Sequence, residues 1–129
     1  MRIKDFTVGQ VVYAFDGLNS IQAGRHKGES KKYTVVKIGR KYLYAARGEI
    51  KDIKTVPNYL LTDFREPEYT DEFLEINADY GRITILFPDM ETADKFFEKK
   101  RLANLLKTEV KWDDYSLDEL QEVQRILGV

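Results

Sequence analysis

The chain has 129 residues, 43% hydrophobic and 12% aromatic, with no cysteine and one histidine, which suits one domain with one core. Without cysteine there are no disulfides, thiolate metal sites or cysteine nucleophiles, and one histidine rules out a multi-histidine centre, leaving carboxylates as metal ligands. The net charge of −1 divides unevenly, since residues 1–60 hold 12 Lys and Arg against 5 Asp and Glu, a balance of +7, and residues 61–129 hold 9 against 17, a balance of −8.

Met1-Arg2-Ile3-Lys4-Asp5 lacks the apolar stretch of a signal peptide, and no run of about 18 apolar residues occurs. A soluble, cytoplasmic protein is expected. Phe6 to Gln10 reads as a turn that feeds a β-branched and aromatic strand, Val11 to Phe15. Asp16 to Ser30 has the composition of a long exposed loop, with Gly17, Gly24 and Gly28 among Asn19, Ser20, Gln22, Arg25, His26 and Lys27.

Lys31 to Ala46 forms a strand–turn–strand. With Gly39-Arg40 as a two-residue type II′ turn, Val36 faces Leu43 and Ile38 faces Lys41 on one side. On the other, Lys37 faces Tyr42, Val35 faces Tyr44 and Tyr33 faces Ala46. The first set suits a barrel interior. The second carries Tyr33, Tyr42 and Tyr44 beside Lys37, with Arg40 and Lys41 at the tip.

Ile50 to Val56 reads as a further strand stopped by Pro57, with Tyr59-Leu60-Leu61 as a short edge. Asp63 to Glu75 is acidic and contains proline, as a connection does. Phe73 to Ile76 then pairs with Ile83 to Phe87 across Asp79-Tyr80-Gly81 as a second hairpin. Pro88-Asp89 opens a helix, with Asp89 as N-cap. Its residues Ala93, Phe96, Phe97, Ala103, Leu106 and Val110, with Leu102 and Leu105 alongside, are expected to pack on the sheet. Ser116 and Glu119 form a capping box for a last helix that runs to about Leu127 and ends at Gly128. The fold class is α+β: a small antiparallel β-barrel over residues 1–62, then a hairpin and two C-terminal helices over 63–129, together one compact unit.

Candidate chemistry is sparse, and no enzyme, cofactor or metal is expected. Pro88-Asp89 with Glu98-Lys99-Lys100 superficially matches a metal-dependent nuclease pattern. Both carboxylates fall on one helix, about 13 Å apart at 1.5 Å per residue, whereas such chemistry needs them convergent on one ion. Asp113-Asp114 reads as a polar loop. Arg25, His26 and Lys27 together can contact phosphates from the loop, or simply be solvated.

Tyr33, Tyr42 and Tyr44, with Lys37, Arg40 and Lys41 supplying charge, have the make-up of a stacking platform for nucleic acid. Aromatic stripes are most often core, so cover by the C-terminal helices stands beside that reading. The candidate nucleic-acid or partner site is thus Arg25, Lys27, Lys37, Arg40, Lys41, Tyr42 and Tyr44. The acidic half offers a second surface, Glu66, Glu68, Asp71, Glu72 and Glu75, suited to a positively charged partner.

Phe6-x-Val8-Gly9-x-x-Val12-Tyr13, the polar loop with Arg25, and Val35 to Tyr42 resemble a family of small β-barrel proteins from phages and mobile elements of Firmicutes. Phe87-Pro88-x-x-Glu91-x-Ala93 and Tyr115-Ser116-Leu117-Asp118-x-Leu120 extend the resemblance to the C-terminus, while Gln10 stands where an Asp is common. The resemblance implies an SH3-like barrel followed by helices and no catalytic residue. The expectation is a non-catalytic binding module of phage or mobile-element origin that contacts nucleic acid or a nucleic-acid-processing protein. The alternative is an inhibitor or adaptor, for example anti-defence, that uses the acidic half.

Overall fold

The computed structural model describes residues 1–17, 29–76 and 83–129. Six antiparallel strands close into a barrel in chain order: β1 (Val11–Asp16), β2 (Ser30–Ile38), β3 (Tyr42–Arg47), β4 (Leu61–Arg65), β5 (Leu74–Ile76) and β6 (Thr84–Phe87). Two helices follow, α1 (Met90–Glu109) and α2 (Leu117–Leu127). The expected second hairpin is present as β5 and β6, with Leu74 opposite Leu86, and its strands are staves of the same barrel. Closure comes from β1 pairing with β6, Tyr13 to Asp16 against Phe87 to Thr84. The loop from Asp16 to Ser30 and the turn at Asp79-Tyr80-Gly81 fall largely or wholly outside the described residues.

Alternation divides the strands between an interior and an exterior. Val12, Ala14, Val35, Leu43, Ala45, Phe64, Leu74 and Leu86 fill the barrel, and Ile3 and Phe6 join them. A second cluster lies outside the barrel wall, where Phe15, Phe73, Ile85 and Phe87 meet Ala93 and Phe96 of α1. All four residues of β6 are therefore buried: Leu86 points inward while Ile85 and Phe87 lie under the helix. Edge-on rings lock this layer, with centroids 4.7 Å apart for Phe15 and Phe97 and 5.5 Å for Phe73 and Phe96.

The central hairpin departs from the expected register. Ile38 pairs with Leu43 and Lys37 with Tyr44, then a β-bulge at Val36 shifts the ladder so that Val35 meets Ala45 and Tyr33 meets Arg47. The turn spans more than two residues, with the Gly39 N–H donating to the Tyr42 carbonyl at 2.9 Å. Gly39 is not among the glycines with positive φ, which a type II′ turn needs at that position. It is tight for another reason: a Cβ there would lie 3.2 Å from the Tyr42 carbonyl oxygen.

Because a one-residue slip exchanges faces, the bulge turns Tyr33 toward the interior. Its ring packs edge-on to Phe64 at 5.6 Å and borders the inner cluster. Val36, expected inside, is only half-buried.

The segment expected as a strand at 50–56 is instead a covering loop with a 3-10 turn, Ile53–Thr55, capped by the Asp52 side chain. It is anchored by Thr34, whose hydroxyl donates to the Gly48 carbonyl at 2.7 Å and accepts from the Ile50 N–H at 2.9 Å. Residues 58–60 form another 3-10 turn, and the strand begins at Leu61, the last residue of the expected edge, and runs on into the expected connection as far as Arg65, with Phe64 as its fully buried inward residue.

Asp89 caps α1 as expected, accepting from the Thr92 N–H at 2.7 Å. Only the start of that helix packs, however. Ala93 and Phe96 are buried, but Leu102, Leu105 and Leu106 are exposed. At 100° per residue these leucines lie on the side opposite Ala93, Phe96 and Phe97. Beyond its first turns the helix has run past the barrel wall. The Ser116–Glu119 capping box and the left-handed Gly128 end α2 as the sequence indicates, but α2 buries no residue.

Phe96→Ala is expected to cost about 3–5 kcal/mol in urea unfolding, against well under 1 kcal/mol for Leu106→Ala. The Asp89 carboxyl is held below its ordinary 3.8 chiefly by the Thr92 backbone N–H. Its stabilisation is complete above that ordinary value and lost as pH falls through the depressed folded value. Asp89→Ala should therefore cost about 1 kcal/mol near neutral pH, with the gap to the natural protein closing below about pH 4. A gap that persists there contradicts the capping role.

Candidate nucleic-acid interface

Tyr42 and Tyr44 lie on the outer face of β3, two residues apart, with ring centroids separated by 6.3 Å. Lys37 pairs with Tyr44 across β2, and its Nζ stands 5.5 Å from that ring's centroid, within cation–π range. On the other side Asp63 pairs with Tyr44 and Arg65 with Tyr42. Both rings are half-buried. α1 lies against β6, and in a closed barrel of six β3 stands opposite β6, so the helix that covers the wall does so on the far side from these tyrosines.

The hairpin tip carries exposed Arg40 and Lys41, and Tyr44 reaches back to it, with its Cε2 3.6 Å from the place a Gly39 Cβ would occupy. Beside the tip is an open cleft of about 410 Å³ at one end of the barrel, lined by Arg2, Ile3, Lys4, Ile38, Arg40 and Glu66. Arg2 and Lys4 flank buried Ile3, so their charges are presented outward while Ile3 holds the segment to the core. Among the described residues, Arg2, Lys4, Lys37, Arg40 and Lys41 form no ion pair. Sequence reasoning missed Arg2 and Lys4. The signal was the alternation of apolar and basic residues over Met1-Arg2-Ile3-Lys4, which places the basic residues outward only once Ile3 is known to be inside.

Arg25 and Lys27 lie outside the described residues. The members of the acidic set have different surroundings. Glu66 lines the basic cleft and its Oε1 accepts from the Ile3 N–H at 3.0 Å. Glu72 pairs with Lys99 at 3.2 Å. Glu75 is buried rather than displayed, its two oxygens taken by Arg65 Nε at 3.2 Å and the Tyr69 hydroxyl at 2.6 Å. Partial burial of that hydroxyl, then the Glu75 carboxylate, push the Tyr69 pKa upward, so the phenol stays a donor. Glu68 and Asp71 are exposed. Asp89 and Glu98, the carboxylates of the nuclease-like pattern, serve as a helix cap and as the partner of Arg101. Among the described residues no cluster of three or more His, Asp or Glu could hold a metal ion, and no helix is long and apolar enough to cross a membrane.

Fold and surface together define a small closed β-barrel domain with a helix on one wall and a cationic, tyrosine-bearing hairpin on the other. A family model described as Phage ProQ C-terminal-like domain matches residues 1–128, and the chain belongs to that phage-associated family. No curated protein and no solved structure matches it.

Glu75 and Tyr69 tie β5 to the segment before it, and removing the carboxylate would take away the acceptor that the Arg65 guanidinium and the Tyr69 hydroxyl share. Glu75→Ala should lower stability by about 1–3 kcal/mol, with Tyr69→Phe costing less, about 0.5–1.5 kcal/mol, in chemical denaturation. Equal, negligible losses would show that Glu75 behaves as a surface residue after all.

Proposed function

We propose that the protein is a non-catalytic binding module for single-stranded nucleic acid, which tracks along the outer face of the β2–β3 hairpin into the cleft at the barrel end. The observation that carries this reading is the grouping of Arg2, Lys4, Lys37, Arg40 and Lys41, none in an ion pair among the described residues, around the Tyr42–Tyr44 pair. Cations without carboxylate partners on a protein of net charge −1 attract a polyanion locally, because steering depends on the field of a face rather than on the total.

Each role follows from side-chain chemistry. Arginine and lysine neutralise phosphates and release counterions, which gives affinity without sequence information. Tyrosine rings stack on bases, and every base has a face to offer. Membership of a phage-associated family named for a ProQ C-terminal domain is compatible with such a role. The inhibitor or adaptor alternative has thinner support, because Glu66, Glu72 and Glu75 already have partners within the chain.

Fluorescence anisotropy with a labelled oligonucleotide tests the reading. Affinity should fall with salt along a log–log line whose slope is about −0.7 per phosphate contacted. Arg40→Ala should make the slope shallower by about that amount, while Tyr42→Ala should weaken binding by about 1–3 kcal/mol with the slope unchanged. Affinity that stays constant between about 50 and 200 mM salt overturns the phosphate mechanism.

A further inference from the structure

We infer that Asp63 selects guanine in the strand bound on this wall, through two hydrogen bonds from the guanine Watson–Crick edge to its carboxylate. Guanine selection rests on the proposed single-strand interface and adds to it a base preference, which phosphate contacts and stacking do not supply.

Phe64 points into the barrel, so alternation along β4 sets Asp63 on the outer face, with Tyr42 and Tyr44. Asp63 is directly opposite Tyr44, and Tyr44 is in turn opposite Lys37. The three make one row across β2, β3 and β4, in which a tyrosine stands between a cation and a carboxylate. Lys37 is engaged with the ring, its Nζ 5.5 Å from the centroid. Arg65, the next outward residue of β4, donates from its Nε to Glu75 at 3.2 Å. Asp63 is half-buried, and among the described residues its carboxylate has neither a hydrogen bond nor an ion pair.

A carboxylate on a surface that attracts phosphates repels the same backbone that the cations draw in. It becomes useful where it meets donors that phosphates lack, and the base edges of a single strand are open to such contacts. Residues directly opposite on one face of an antiparallel pair have Cβ atoms about 4.5–5.5 Å apart. A base stacked on Tyr44 therefore brings its edge within reach of Asp63. An ionised carboxylate only accepts, through two oxygens. Guanine has two adjacent donors, N1–H and the N2 amino group, to match them. Adenine and cytosine set one amino group beside a ring-nitrogen acceptor, and thymine and uracil set one N–H between two carbonyls. In each of these the second oxygen meets a lone pair.

Fluorescence anisotropy at fixed salt, with thymine oligonucleotides of about 12 nucleotides carrying guanine, inosine, adenine or cytosine at one central position, tests the assignment. The guanine strand should bind about tenfold more tightly than the adenine, cytosine or all-thymine strand, as one bidentate base contact provides. Inosine, which lacks the N2 amino group, should lose most of that advantage. Asp63→Asn is nearly isosteric on an outer face and should unfold at the same temperature as the natural protein. It should bring the guanine strand to within about twofold of the all-thymine strand. Affinity for the all-thymine strand should stay the same or rise, since a repelling charge is gone. Equal affinity for all strands, or a guanine preference that survives in inosine or in Asp63→Asn, overturns the role of Asp63 and leaves phosphate binding and stacking standing. Failure to bind any strand overturns both.

Discussion

Everything else in this molecule depends on the pairing of β1 with β6. That ladder joins Val11–Asp16 to Thr84–Phe87 across the length of the domain and removes both free edges of the sheet, which would otherwise invite pairing with other chains. It also decides what is inside. With the barrel closed, Ala14 and Leu86 turn inward as opposite neighbours while Phe15, Ile85 and Phe87 are left outside, and only a helix directly after β6 is placed to cover them. The polar end of the seam is held by Asp16, which takes the Lys31 ammonium and the Thr84 hydroxyl and so ties β2, β1 and β6 together.

Closure then separates two walls with different duties. The wall formed by β1 and β6 is dry, aromatic and covered by α1. The wall formed by β2, β3 and β4 has its own partial cover, the loop pinned by Thr34, but beyond it the hairpin reaches solvent with Lys37, Tyr42 and Tyr44 on its outer side. A rigid scaffold that holds a charged hairpin at its rim is a common way for a small domain to build a binding surface. The same barrel could serve other ends, so function depends on the surface residues and not on the fold.

Much of this was legible in the sequence because local rules and tertiary demands agreed. Asp89, Ser116, Glu119 and Gly128 act as caps wherever the helices lie, and Phe73–Ile76 and Ile83–Phe87 have too many large apolar residues to be anything but buried. The misreadings occurred where a distant contact decides. The bulge at Val36 reconciles an inward Val35 with an inward Ile38 on one strand, a need that appears only once the barrel has a curvature to follow. In β4, Thr62-Asp63-Phe64-Arg65 has a single fully inward apolar residue among charges, so its period of two is too short to register. The leucines of α1 have helical spacing, but which face is covered depends on how far the barrel wall extends beneath it. The cationic set was half visible: Lys37, Arg40 and Lys41 share a hairpin, whereas Arg2 and Lys4 join them only through the fold.

The central claim is that binding belongs to the hairpin wall and the cleft beside it. The most direct measurement is a titration of the isotopically labelled protein with a single-stranded oligonucleotide, followed by backbone amide chemical shifts. The account predicts shifts concentrated in residues 2–4 and 37–44, with β6 and the first turns of α1 unmoved. Shifts centred on α1 and α2, or none at saturating oligonucleotide, would contradict it.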